Sequence, residues 1–186
     1  MIKPLWGYAG KAIFWLICAA VAGLAVMIFM FEVVWNETTS IDRNGFLVTK
    51  WITTPWRGAY VAFDIPPELD AVCGFCAVMV KRVIGLPGDD ISYFPNAIEV
   101  AGQRFELSAE AGELGLGRAR IGAVVPTGHV LAFGETPGSI DSRYSIVGAV
   151  PLKNAALGFS APLPSKKSLL GIAEFFGTLA DKGDAL

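Results

Sequence analysis

One lysine interrupts an otherwise apolar stretch of the sequence and is the first candidate for chemistry. Residues 77–84 read AVMVKRVI, a continuous apolar run typical of a strand buried on both faces, and Lys81 stands within it. On an edge strand, such a lysine would point to water and discourage pairing with other strands. In a buried position, the loss of hydration lowers the lysine pKa, and a neutral amine can serve as a general base. Arg82 faces the opposite side of the strand, so one of the two can be buried while the other is solvated.

Few other residues could carry chemistry. His129 is the only histidine, so a Ser-His-Asp triad would have to use it, although its place at the start of a strand suggests a partly solvated side chain. Cys73 and Cys76 form a C-x-x-C motif, which predicts a local disulfide or a free pair in the loop before the lysine strand or, as the alternative, a redox-active pair. The βαβ context of thioredoxin-like motifs is missing. Structural zinc would need two ligands besides Cys73 and Cys76, and His129 together with Cys18, which lies inside the apolar N-terminal segment, does not supply them, so we expect no metal and no cofactor.

The residues around Lys81 resemble a known family. Residues 81–89, KRVIGLPGD, resemble the segment that carries the general-base lysine of type I signal peptidases, the serine–lysine membrane proteases. Residues 126–150 look like a second segment of that family, with the pattern P-x-G-H, G, S-x-D-S-R-Y, G and V. Residues 56–63, WRGAYVAF, resemble its R-G-D-x-V-x-F strand. The resemblance implies that Lys81 is a general base.

The resemblance also implies a serine nucleophile. Residues 36–40, NETTS, resemble the N-x-T-x-S opening of the branch that matures pilins for conjugative transfer, which makes Ser40 the implied nucleophile. Thr39 is a neighbouring hydroxyl that the family spacing disfavours. Asp42 stands where this branch carries a proline.

The implied reaction is acyl transfer by a serine–lysine dyad. Neutral Lys81 takes the proton of Ser40, whose oxygen attacks the substrate carbonyl, and the ammonium then protonates the leaving amine. A backbone N–H at Ser40 would stabilise the oxyanion. The resemblance also implies Thr38 as a second oxyanion donor and Ser139 as the residue that orients the lysine. Asp141 and Arg143 would form a pair that holds the segment of Ser139 near the site. Asp141 is in addition a third catalytic candidate.

An apolar segment near the N-terminus must place this chemistry at a membrane. Residues 12–31 carry no charge, and twenty helical residues span about 30 Å, the thickness of the hydrocarbon core. A cleaved signal peptide would have a shorter apolar stretch that ends in small residues. Two lysines precede the segment and two glutamates follow it, so the positive-inside rule places residues 1–11 in the cytoplasm and the chain after Trp35 outside. In a bacterium, this means an inner-membrane protein with a periplasmic domain.

After the apolar segment, the sequence predicts a small, mostly antiparallel β-domain of signal-peptidase type, with a short C-terminal helix. Short runs of β-branched and aromatic residues alternate with Gly- and Pro-containing turns. The predicted strands are 46–52, 58–63, 77–84, 90–94, 97–100, 104–107, 130–133 and 145–150, and residues 108–120 are expected to form a loop. The predicted layout is a cytoplasmic N-terminus at 1–11, a transmembrane anchor at 12–35, a periplasmic catalytic domain at 36–165, and an amphipathic helix and tail at 166–186, packed on the domain or lying on the membrane surface.

Composition narrows the possible functions. Of the 186 residues, 53% are hydrophobic, which excludes a disordered chain, and three cysteines exclude a disulfide scaffold. A net charge of −2 argues against a nucleic-acid partner.

Taken together, the apolar segment and the family resemblance predict an anchored Ser-Lys endopeptidase. Its expected partners are the lipid bilayer and a precursor protein with an apolar leader. The resemblance favours a conjugative pilin precursor, which the enzyme would cleave or cyclise. The alternatives are a housekeeping signal peptidase, a non-catalytic β-domain that assists secretion or pilus assembly, and a thiol oxidoreductase.

Overall fold

The computed structural model describes residues 5–36, 40–69, 78–161 and 163. The chain divides into two compact units, which meet in sequence between Glu32 and Val33. The first unit contains helix α1 (Leu5–Met30), within which Tyr8–Met30 is long and apolar enough to cross a membrane. Among the described residues it is the only helix of that kind.

The second unit is a β-domain. The described strands are β1 (Glu32–Trp35), β2 (Gly45–Thr49), β3 (Tyr60–Asp64), β4 (Val78–Gly85), β5 (Ile91–Phe94), β6 (Ala97–Val100), β7 (Gln103–Glu106), β8 (His129–Phe133), β9 (Val150–Pro151) and β10 (Ala155–Ala161). The described elements also include a short helix, α2 (Ala109–Glu113), and a 3-10 turn (Leu152–Asn154). The predicted combination of an N-terminal apolar helix with a mostly antiparallel β-domain is confirmed, while the predicted helix at 166–186 lies outside the described residues.

The strands form two sheets. The larger has the order β1-β2-β10-β3-β4-β8-β9, and the smaller has the order β5-β6-β7. The pairings around β3, β4, β8 and β10 are all antiparallel. Strand β10 therefore lies between β2, which follows Ser40, and β3, which pairs with the strand of Lys81.

Several boundaries differ from the sequence-based expectation. The predicted anchor ran from 12 to 35, whereas α1 ends at Met30 and residues 32–35 form β1. Strands β1 and β10 were not predicted. The predicted strand at 145–150 is wrong, because residues 145–147 form a turn after Tyr144 and only Val150 enters a strand. The predicted loop at 108–120 contains α2.

Strand β4 separates two apolar environments. Its β-branched residues favour an extended conformation, and alternate side chains point to opposite faces. Val83 packs in a buried cluster with Val61, whereas Val80 packs in another with Tyr60. Lys81 pairs with Val61 across the sheet and is 4% exposed, while Arg82 is exposed. Of the two neighbouring cations, the lysine is the buried one.

Candidate active site

A buried lysine joins two serines at the centre of the site. Lys81 Nζ lies 2.8 Å from Ser40 Oγ and 2.9 Å from Ser139 Oγ, both within hydrogen-bond distance. All three residues are buried. Ser40 stands just before β2, Lys81 is inside β4, and Ser139 follows β8, so the arrangement depends on long-range packing.

The surroundings of Lys81 lower its affinity for a proton. Burial lowers the Lys81 pKa from 10.5 to about 8, against the opposing effect of Asp141, while Arg143 lowers it further. At pH 7 about 10% of such amines are neutral, compared with about 0.03% at the unperturbed pKa. A neutral Lys81 can accept the Ser40 proton while it donates a hydrogen bond to Ser139. The geometry therefore suits a general base paired with a serine.

Asp141 and Arg143 form a buried ion pair beside the two serines. The carboxylate accepts two hydrogen bonds from the guanidinium, Nε to Oδ1 at 2.9 Å and Nη2 to Oδ2 at 2.8 Å. Arg143 also donates to the carbonyl oxygens of Glu106 and Ser139. Burial lowers the Arg143 pKa, but pairing with Asp141 outweighs that effect and raises it. The pair ties the backbone of Ser139 to the end of β7.

Gly134 provides the space that this arrangement requires. Its N–H donates to Asp141 Oδ2 at 2.8 Å. A Cβ at this position would collide with Ser139 Oγ and Cβ and would lie 3.0 Å from the carbonyl oxygen of Ser40. The backbone after β8 thus passes directly between the two serine segments, which only a glycine permits.

The residues after β4 fix the end of the lysine strand. Asp89 accepts hydrogen bonds from the Leu86 N–H at 2.5 Å and from Arg57 at 2.6 Å. Arg57 also donates to the carbonyl oxygen of Ile84 at 2.6 Å. Gly88 has a φ of +87°, which a glycine adopts without strain. The segment that resembles the family's lysine motif therefore holds β4 in place as well as supplying Lys81.

The other predicted candidates stand apart from this site. His129 begins β8 opposite Pro151, about 13 Å along the strand from Phe133, and its Nδ1 lies 3.0 Å from the Thr127 carbonyl oxygen. Thr38 and the Cys73–Cys76 pair lie outside the described residues. Within the described ranges, no group of three or more His, Cys, Asp or Glu side chains could hold a metal ion.

Comparison with known proteins identifies the family. The family described as "Signal peptidase, peptidase S26" matches residues 6–159. The chain belongs to this family. This signal peptidase is therefore a serine peptidase, a hydrolase, and its single described apolar helix is that of a membrane-anchored member.

Among solved structures, the peptidase is similar to a signal peptidase I from Enterococcus faecalis V583. The two are 26% identical, with a TM-score of 0.36, over 56% of this chain and 95% of that chain. No curated protein matches the chain.

Proposed function

We propose that Ser40 and Lys81 form the catalytic dyad of a membrane-anchored endopeptidase that removes apolar leader segments from exported precursor proteins. The observation that carries this proposal is the 2.8 Å contact between Ser40 Oγ and Lys81 Nζ in a buried site, in a member of a serine peptidase family. The lowered pKa of Lys81 supports its role as the base.

In the proposed reaction, the neutral Lys81 amine removes the proton from Ser40 as Oγ attacks the carbonyl carbon of the scissile bond. The resulting ammonium then protonates the leaving amine, which carries the mature chain, and leaves an acyl-enzyme on Ser40. Lys81 next activates water, and hydrolysis releases the leader and restores the dyad. Ser139 is positioned to orient the amine through the 2.9 Å contact, and Asp141 acts through Arg143 and Gly134 to hold that segment.

The proposed location is the bacterial inner membrane, with the N-terminus in the cytoplasm and the β-domain in the periplasm. The charge bias supports it, because Lys3 and Lys11 precede the apolar helix and Glu32 and Glu37 follow its last residue. Ser40 comes only ten residues after the end of α1 at Met30. A nucleophile so near the anchor in sequence suits a substrate that is itself held in the bilayer by an apolar leader.

The proposed substrate is a conjugative pilin precursor, because residues 36–40 match the opening of that branch. In this branch, the acyl-enzyme can be resolved by the amine of the pilin itself, which gives a cyclic product in place of hydrolysis. A housekeeping signal peptidase would use the same dyad on many leaders, so the choice depends on the substrate.

The test is cleavage of precursor proteins by the full chain in detergent micelles. We expect Ser40→Ala and Lys81→Ala to abolish cleavage, while the exposed matched controls Ser92→Ala and Lys153→Ala retain it. Intact cleavage in both dyad variants would refute the peptidase mechanism. Processing of a pilin precursor, without rescue of cells depleted of their own signal peptidase, would support the specialised branch. Rescue of those cells would assign a housekeeping role.

A further inference from the structure

Glu135, directly after Gly134, contacts the segment of Ser40 with both its backbone and its side chain. Its N–H donates to the Ser40 carbonyl oxygen at 2.8 Å. Its carboxylate Oε2 lies 3.4 Å from the backbone nitrogen of Asp42, a long hydrogen bond in which that N–H is the donor. One residue therefore holds two points of the Ser40 loop, which we define as residues 40–44.

The other carboxylate oxygen connects this loop to the sheet. Oε1 accepts the Tyr60 hydroxyl at 3.2 Å and lies 4.0 Å from Arg82 Nη1. Burial, followed by the nearby charge of Glu135, raises the Tyr60 pKa, so the hydroxyl keeps its proton and remains a donor. The Tyr60 ring also packs against Phe46 of β2, with ring centroids 4.7 Å apart. Glu135 thus links the Ser40 loop to β3 and β4, the latter being the strand of Lys81.

The Ser40 loop is also organised from within. The Asn36 amide donates to the carbonyl oxygens of Ile41 at 2.7 Å and Arg43 at 2.9 Å, and the Asn36 N–H donates to the Asn44 carbonyl oxygen at 3.0 Å. These contacts shape the loop, but they join it to the end of β1 and not to β4. Registration of Ser40 against Lys81 requires contacts that cross between their two segments. Glu135 makes such contacts, because its N–H donates to the Ser40 carbonyl oxygen and its carboxylate accepts from the Asp42 N–H and the Tyr60 hydroxyl.

We propose that Glu135 is a positioning residue for Ser40, and this inference rests on the proposed function. Its carboxylate docks the Ser40 loop on the strands that carry Tyr60 and Lys81, and so keeps Ser40 Oγ within reach of the amine. Misplacement of a reacting group by 1 Å can cost about 10²-fold in rate. Glu135 is not among the groups that shift the Lys81 pKa, so its loss lowers the rate without moving the pH dependence.

The test measures kcat, KM and the pH profile of precursor cleavage for the full chain in micelles. Glu135→Ala is expected to lower kcat about 10²-fold, and Glu135→Gln, which retains one acceptor oxygen, about 10-fold. The pH midpoint and KM should stay within twofold of the wild-type values. Glu99→Gln on β6 is the matched control and should match the wild type.

A double-mutant cycle separates positioning from general stability. Tyr60→Phe removes one hydroxyl, so it is expected to lower kcat about 3- to 10-fold, and to cost less in the Glu135→Ala background than alone. If Glu135→Ala fails to fold, Tyr60→Phe and Glu135→Gln decide the question through the same cycle. Wild-type kcat in these variants, or a loss that matches their unfolded fraction, overturns the inference. Continued cleavage by Ser40→Ala and Lys81→Ala would instead overturn the proposed function.

Discussion

Substitution of Gly134 by alanine tests the close approach of backbone and serines at the site. The new methyl group would overlap both side-chain atoms of Ser139 and lie 3.0 Å from the Ser40 carbonyl oxygen, whereas an ordinary contact is 3.4 Å or longer. To restore that separation, Ser139 would have to retreat by about 1 Å or more. Lys81 would then lose the acceptor that now lies 2.9 Å away.

Two costs follow from this displacement. Overpacking of a well-filled site destabilises the fold by about 1–3 kcal/mol. Loss of the Ser139 contact removes one of the two hydrogen bonds that orient Lys81, and misplacement of a reacting group by about 1 Å lowers the rate by about 10²-fold. We therefore expect Gly134→Ala to remain largely folded and to lose about 10²-fold or more in kcat/KM.

The assay is precursor cleavage at saturating and limiting substrate, together with urea unfolding followed by near-UV circular dichroism. Gly112→Ala is the matched control, because a Cβ there would meet no atom within 4 Å. Ser139→Gly removes both atoms that the new methyl group would strike. Gly134→Ala should therefore cost much less in the Ser139→Gly background than in the wild type.

Retention of wild-type kcat/KM within about threefold by a folded Gly134→Ala variant would refute this reasoning. An equal cost in the two backgrounds would show that the collision with Ser139 is not the cause.

Three further predictions concern charge at the site. Because burial lowers the Lys81 pKa to about 8, kcat/KM should rise about tenfold per pH unit up to that value and then level off; a flat profile from pH 6 to 9.5 would contradict a lysine base. Lys81→Met should be inactive yet more stable at pH 7 by about 1–2 kcal/mol, since it removes a desolvation cost of about 3 kcal/mol and two hydrogen bonds of about 1 kcal/mol each. Between pH 8 and 10.5 the unfolded wild type binds more protons than the folded form, so the free energy of unfolding of the wild type rises with pH. The extra stability of Lys81→Met should therefore be smaller at pH 10 than at pH 7, which urea unfolding at the two pH values measures. Asp141→Asn leaves the buried Arg143 cation without its carboxylate and should cost about 3–5 kcal/mol in urea unfolding, while the pH midpoint of any remaining activity moves down because Asp141 raises the Lys81 pKa; a midpoint that moves up would contradict this electrostatic account.

The sequence predicts the lysine strand well because its signals are local. A run of β-branched residues on both sides of Lys81 favours burial on both faces, and the structure places Lys81 in that environment. The family resemblance of residues 36–40 and 126–150 then adds Ser40, Ser139 and Asp141 as candidates. These residues lie close together in the structure.

Strand β10 could not be predicted from the sequence because its composition is unlike that of a typical strand. Ala155, Ala156 and Gly158 have low β-propensity, yet the strand lies inside the sheet. A Cβ at Gly158 would collide with the Leu47 carbonyl oxygen on β2. Small residues are present because two backbones approach closely there, a requirement that appears only once the partner strand is known.

The roles of Gly134 and Glu135 could not be predicted either, because they also depend on segments that are distant in sequence. Their contacts with Ser40 and Asp42 join positions more than ninety residues apart in sequence. No periodicity or spacing within either segment indicates that pairing. The resemblance includes Gly134 within its pattern but gives no physical reason for a glycine there.

The position of β10 has a consequence for the order in which the enzyme becomes active. During synthesis, Ser40, Lys81 and Asp141 all leave the ribosome before residues 155–161, yet β2 is joined to β3 through β10. A nascent chain that ends before residue 155 contains every proposed catalytic group but lacks the strand between the serine and lysine sides of the sheet. Because β10 lies between β2 and β3, we expect Ser40 and Lys81 to come together only after residues 155–161 have been synthesised.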